Sequence, residues 1–479
     1  MKKRLIPFAV MALAMASCSS DDVVDVNPDP SGDALSFSIA VGHSRATETK
    51  LDNLGDFNVV AKGVHPHGGI YTNFLIGEVG TDGNVSGETA SREGTSGNTW
   101  SLDRNVYWPT SVDKALFWAW TCSQTKNGTT SSVLPSGSFS FDNENKMLKV
   151  TDFIPRKAEL KSGDDAGYWN DGANQVDFVT AFTEATRSSS VSLQFNHVLS
   201  QISIKAKSDN KKETDHRLVR IKGAWLVNTA DKATLKSTYE WSATADETTG
   251  KQASHTLTWE NASKTGDYTA YGSFYKTPKV LQYGSAGEID LFGENGESLM
   301  LIPQTIEAWK NTGTDKDLEN NANNAYILLL CRVELKHPGT NHTGSDADDD
   351  DIKSYDGNHY HQMFPVNTTK KFVEDEYGFV CVPVGATFDS GKKYTFTLDI
   401  CGEHSGAGYY PPCDDFTALI PDVKAFTSTW NTNCTLSIVN RPGGKNKGDL
   451  VLDEPIKFEV TVSPWDNNTG WTDGNVKLD

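Results

Sequence analysis

Cationic residues are in short supply. Lysine and arginine number 44 against 63 aspartates and glutamates, for a net charge of −19. So acidic a chain repels a phosphate backbone, which argues against nucleic acid as a partner. Cysteine is scarce as well: seven among 479 residues do not make a disulfide scaffold. Long apolar runs are missing after the N-terminus, where no segment approaches the ~20 residues of a membrane-spanning helix. Helical faces are few. Catalytic signatures are missing too: there is no Gly-x-Ser-x-Gly elbow, no His-Glu-x-x-His pair and no Walker-type loop. Arg441-Pro-Gly-Gly-Lys-Asn-Lys-Gly448 has the wrong spacing for a phosphate loop and reads as a turn. No catalytic residue, cofactor or metal is assigned on these grounds.

What remains is enough for folded cores. Hydrophobic residues make up 37% and charged residues 22%, which excludes disorder throughout. The length suits two or three domains. The recurring local signal is alternation, the period of a half-buried strand. Leu35, Phe37, Ile39 and Val41 alternate with Ser36, Ser38 and Ala40; Val191, Leu193 and Phe195 alternate with polar residues, as do Tyr394, Phe396, Leu398 and Ile400. Ile456, Phe458, Val460 and Val462 close the series against Lys457, Glu459 and Thr461. Gly, Asn, Asp and Ser clusters between the strands read as loops. The expectation is an all-β protein built of antiparallel β-sandwich domains. A polar stretch at 208–215 suggests a boundary between an N-terminal sandwich, 34–207, and a C-terminal one, 216–465, with loop insertions at 311–324 and 344–358. Residues 466–479 form a tail.

The first residues read as an export signal: Lys2, Lys3 and Arg4, then an apolar stretch from Leu5 to Ala16. Met15-Ala16-Ser17-Cys18 resembles a bacterial lipobox, which makes 1–17 the signal peptide and Cys18 the lipidated first residue of the mature chain. Acyl chains there anchor a protein in the outer membrane without a spanning helix. Ser19-Ser20-Asp21-Asp22 resembles a surface-export tag, and 18–33, with Pro28, Pro30 and Gly32, reads as a tether.

Other candidate sites have bland readings. The acidic run Asp346, Asp348, Asp349, Asp350 and Asp351 lacks the EF-hand pattern, since Asp351 stands where Gly and Gly357 where Glu is needed. It reads as a solvated loop. His359 and His361 share a face if they lie on a strand and could hold a transition metal, but no Cys or carboxylate stands at firm ligand spacing. His65 and His67 read in the same way. Trp108, Trp118 and Trp120 invite a sugar-stacking reading, yet their apolar surroundings favour core packing. Cys331 and Cys381 read as buried small hydrophobes, while Cys401 and Cys413 bracket a loop and could bridge.

In order along the chain come the lipobox at Cys18; Leu35-Ser-Phe-Ser-Ile-Ala-Val41 with Ser44-Arg45-Ala46; Tyr107-Trp108-Pro109; and Phe117-Trp118-Ala119-Trp120. Gln175-Val-Asp-Phe-Val-Thr-Ala181, Leu193-Gln-Phe-Asn-His-Val-Leu-Ser-Gln-Ile202, Leu301-Ile-Pro-Gln304 and Phe458-Glu-Val-Thr-Val-Ser-Pro-Trp465 follow. In this order the chain resembles the fimbrillin-like surface lipoproteins, the type V pilus subunits of Gram-negative anaerobes. The resemblance implies two transthyretin-like β-sandwiches and assembly with other pilus subunits by donor-strand exchange. It implies an arginine-specific protease that cuts between Arg45 and Ala46 and so removes the first strand, whereas anchor subunits keep it. Leu35, Phe37, Ile39 and Val41 would then be the strand given up. Ile456, Phe458, Val460 and Val462 repeat nearly the same side chains at the same spacing and are the donor candidates, with the tail 466–479 as the other. The competing expectation is a monomeric surface glycan-binding lipoprotein, with an all-β glycoside hydrolase as a third class.

Overall fold

A computed structural model describes residues 34–41, 54–155, 168–209, 216–240, 254–311, 324–339, 352–366, 372–412 and 437–464, less short gaps within some of these ranges. The described residues are nearly all β, as the alternation implies; one 3-10 turn, Asp171–Asn174, interrupts the strands. No helix among them is long and apolar enough to cross a membrane.

The N-terminal strands form a closed barrel rather than the two open sheets of a sandwich. Its order is Ser36–Val41, Ser190–His197, Val179–Thr186, Lys114–Thr121, Phe57–Val64, Glu88–Arg92 and Thr99–Leu102, which returns to the first strand. Closure depends on Ser36–Val41, which pairs in parallel with Ser190–His197 and antiparallel with Thr99–Leu102. Closing a sheet on itself removes its edges.

The barrel explains an apolar run too continuous for a half-buried strand. Ala115, Phe117 and Ala119 point into the barrel, with Phe57, Val59 and Trp100. Leu116, Trp118 and Trp120 point outward, into a second core shared with Leu148, Val150, Phe153, Leu235 and Trp259. That core lies under a four-stranded sheet ordered Ser136–Asp142, Met147–Ile154, Lys232–Glu240 and Ser254–Ser263. Lys114–Thr121 is thus buried on both faces, and its sequence carries no polar side.

The C-terminal part is a sandwich. One sheet contains the long strands Arg217–Val227, Ala270–Gln282 and Tyr326–Pro338; the facing sheet runs Ile289–Phe292, Ser200–Lys207, Lys392–Asp399 and Lys457–Pro464, with Leu299–Leu301 also paired to Ser200–Lys207. Ile221, Leu226, Ile327 and Leu329 from the first sheet meet Ile202, Ile204, Phe396 and Leu398 from the second in one core.

Sheet membership crosses the expected division at 207/216. Ser200–Lys207 lies before it, yet pairs in parallel with Lys392–Asp399. Lys232–Glu240 and Ser254–Ser263 lie after it, yet cover the barrel. The polar stretch looks like a linker, but strand pairing is decided by burial over long range. The two parts are woven together instead of joined by a tether.

Candidate functional site: the two terminal strands

The terminal strands have nearly the same apolar alternation and opposite fates. In the first, Leu35, Phe37, Ile39 and Val41 are all buried, Phe37 to 0% exposure. Phe37 meets Phe57 and Phe117 edge to face, with ring centroids 5.7 and 6.1 Å apart. Phe37, Ile39 and Val41 stand opposite Val191, Leu193 and Phe195 in the parallel ladder, and Phe37 also opposes Trp100 on the other side. The Leu35 amide donates to the Val106 carbonyl at 2.8 Å. Both edges of this strand are therefore occupied, and one face is the barrel core.

The last strand, Lys457–Pro464, pairs antiparallel with Lys392–Asp399, and among the described residues no strand takes its other edge. Ile456, just before it, is buried, but Phe458, Val460 and Val462 are 37%, 37% and 54% exposed. Their register decides which face this is. Phe458 opposes Leu398, Val460 opposes Phe396, and Val462 opposes Tyr394. Directly opposed residues share a face, and Tyr394, Phe396 and Leu398 belong to the sandwich core. The core face therefore continues onto the last strand and is left uncovered there. Phe458 meets Phe396 there in a tilted pair with centroids 6.2 Å apart. On the other face an ion pair joins Lys207 Nζ to Glu459 Oε1 at 3.3 Å. That hydrogen bond pushes the lysine pKa up, but so exposed a pair adds little stability. The Lys457 amide donates to Ser405 Oγ at 2.8 Å and fixes where the strand begins. An unpaired edge beside an open apolar face is a template for another strand.

The remaining expected site residues are placed as follows. Cys18, Arg45, Ala46 and the tail 466–479 lie outside the described residues, as do the acidic run 346–351 and His67. Trp108, Trp118 and Trp120 are buried, and the Trp108 indole donates to the Ser188 carbonyl, so none offers a face to a sugar ring. Cys331 and Cys381 are buried, and burial pushes both thiols up. Cys401 is buried in the sandwich core; its expected partner, Cys413, lies outside the described residues. His65 packs its ring on Tyr71 at 3.7 Å.

One polar constellation had no sequence signal. Asp177 Oδ2 and His197 Nδ1 are 2.5 Å apart and buried at the end of the barrel, near Cys122. Burial, and then the charge of Asp177, push the Cys122 thiol up. That is the reverse of an activated thiolate, so the trio reads as a buried polar pair beside a core thiol.

Comparison with known proteins finds a family match and similar solved structures. The family described as Fimbrillin-like matches residues 45–407. No curated protein matches the chain. Among solved structures, a fimbrial protein from Bacteroides vulgatus is 14% identical with a TM-score of 0.41, over 90% of this chain and 99% of that one. A putative cell adhesion protein from Parabacteroides distasonis is 9% identical with a TM-score of 0.37, over 92% and 99%. A fimbrial assembly protein from the same species is 9% identical with a TM-score of 0.25, over 76% and 91%. The family match spans most of the barrel and the sandwich, and on that match the chain belongs to the fimbrillin-like family.

Proposed function

We propose that this chain is a cell-surface pilus subunit with a role in adhesion, assembled by exchange of one terminal strand for another. It is exported and lipidated at Cys18, which holds the precursor in the outer membrane. An arginine-specific protease cuts between Arg45 and Ala46. The released strand leaves a slot lined by Val191, Leu193, Phe195 and Trp100, and the C-terminal strand of another subunit, the same or related, fills it.

The observation that supports this most is the contrast between the two strands. The first is closed in on both edges and on its apolar face. Among the described residues no strand takes the other edge of the last, and its Phe458, Val460 and Val462 are 37%, 37% and 54% exposed. A strand that buries so little in its own chain costs little to detach, and it gains burial elsewhere. Ile456, Phe458, Val460 and Val462 match the slot's former occupants, Leu35, Phe37, Ile39 and Val41, in spacing and character.

The test is polymer formation by protease-treated protein carrying Phe458→Asp or Val460→Asp. Both positions are partly solvated, so the monomer stays folded and soluble while polymers are lost. A truncation after Pro464 separates the donor candidates: polymers persist if the strand donates and vanish if the tail does. Unchanged polymers from the Asp variants would sink the assignment of the strand.

A further inference from the structure

We propose that His337, His359 and His361 form a binding site for a divalent transition metal of the zinc class. The inference is independent of the assembly reading. The sequence pairs His359 with His361; the fold adds the third ring. Tyr326–Pro338 runs antiparallel to Asn358–Phe364, and the register sets His337 opposite His359 and Leu335 opposite His361. All three imidazoles therefore lie on one face, two from one strand and one from its neighbour.

Their spacing is that of ligands around one ion. The ring centroids are 5.1 Å apart for His337 and His359, 5.1 Å for His337 and His361, and 5.5 Å for His359 and His361. Zinc holds imidazole nitrogens at about 2.0–2.1 Å in a tetrahedron, which with roughly 1.1 Å from nitrogen to ring centre places bound rings roughly 5.2 Å apart. The ring centres thus already form a triangle of that size. The rings do not yet aim at its centre: His337 and His359 lie at 11° to each other, and among the described residues no three donors stand at ligand distance. Side-chain torsions alone, without backbone movement, have to turn them.

A second observation concerns His359. It is buried, and its Nδ1 lies 3.0 Å from the Gly339 carbonyl oxygen. Nδ1 there carries the proton and donates to that oxygen. This fixes the tautomer with a lone pair on Nε2, the outer-shell arrangement typical of metal-bound histidine. His337 and His361 are only half-buried, so an ion can enter from solvent. Three neutral nitrogens and no thiolate suit zinc, copper or nickel rather than calcium or magnesium. The fourth position would fall to water or to an oxygen from a partner.

The test uses the whole untagged mature chain, stripped with chelator and titrated with cobalt as a visible stand-in for zinc. One equivalent should give the strong visible absorption of tetrahedral cobalt, bleached by one equivalent of zinc. Zinc at about a hundredfold over its Kd should raise the melting temperature of the unit carrying the site by roughly 5–10 °C. His337→Ala and His361→Ala, at half-buried positions, should keep the β circular dichroism and abolish both signals. Replacing Asp348, Asp349, Asp350 and Asp351 together by Asn should leave both unchanged. The proposal falls if the parent chain binds no stoichiometric metal. It also falls if binding survives either histidine substitution or disappears with the aspartates.

Discussion

Removing the first strand is the most informative perturbation, because its cost can be worked out side chain by side chain. A chain beginning at Ala46 lacks Leu35, Phe37, Ile39 and Val41, all buried in the barrel. Burying one large apolar side chain is worth about 1.5–3 kcal/mol, so the four together are worth roughly 6–12 kcal/mol. That is comparable with the whole stability of an ordinary domain, about 5–15 kcal/mol. Two backbone edges also open, on Ser190–His197 and Thr99–Leu102. The shortened chain should therefore unfold its barrel at a much lower urea concentration, bind a dye for exposed apolar surface, and self-associate. A synthetic peptide of residues 34–45 should reverse all three. If 456–464 is the donor, a peptide of that segment should restore the barrel as well. Phe37→Ala in the intact chain gives a finer measure. The ring is fully buried between Phe57 and Phe117, and its loss should cost about 3–5 kcal/mol. If the shortened and intact chains unfold at the same urea concentration without peptide, the barrel does not depend on this strand and the argument fails.

Two further perturbations probe other parts of the molecule. Glu334 is fully buried and accepts from Arg220 Nε at 2.9 Å and Arg332 Nε at 2.6 Å through one oxygen. Glu334→Ala removes the carboxylate from a buried guanidinium and should destabilise by roughly 3–5 kcal/mol, read from the guanidinium chloride midpoint; Leu330→Val on the same strand should cost less. His255 packs flat on Phe182 at 4.2 Å and sits 2.7 Å from Ser237 Oγ, and burial pushes its pKa down from 6.5 to about 4. The folded imidazole stays neutral where the unfolded one takes up a proton. Its contribution is therefore complete above about pH 6.5 and is lost as pH falls toward 4, by at most about 1.4 kcal/mol per pH unit. Melting curves between pH 7.5 and 4.5 should show this slope, and His255→Gln should flatten it.

The strands themselves were legible because period-two alternation is local. Leu35 to Val41 and Ile456 to Val462 announce strands from a few residues each. What covers a strand is not local. Ser36–Val41 closes the barrel against Ser190–His197, far along the chain, and no window of sequence contains that pairing. For the same reason the polar stretch 208–215 suggested a division that the sheets do not follow: Ser200–Lys207 is drawn across it by a parallel ladder to Lys392–Asp399. The tryptophans of Lys114–Thr121 were readable as core because the run has no polar side; that two cores divide it needed the fold. His337 carried no signal at all. It becomes a neighbour of His359 only through the register of two strands separated by an insertion.

The difference between the terminal strands bears on how assembly could be controlled. One chain carries two segments of the same apolar pattern but encloses only one of them. While residues 35–41 fill the barrel slot, a second strand has no place to bury Phe458, Val460 and Val462, and the intact chain has little reason to associate through them. Cleavage after Arg45 would change that balance without altering any other residue. The slot would lose its tethered occupant, whose local concentration had excluded all competitors, and the exposed strand of another copy would become the best available match. Detaching that strand sacrifices one ladder, to Lys392–Asp399; docking it in the slot offers two edges and a buried face. On this reading a single peptide bond holds the subunit inactive, and the preference for exchange follows from burial already visible in the monomer.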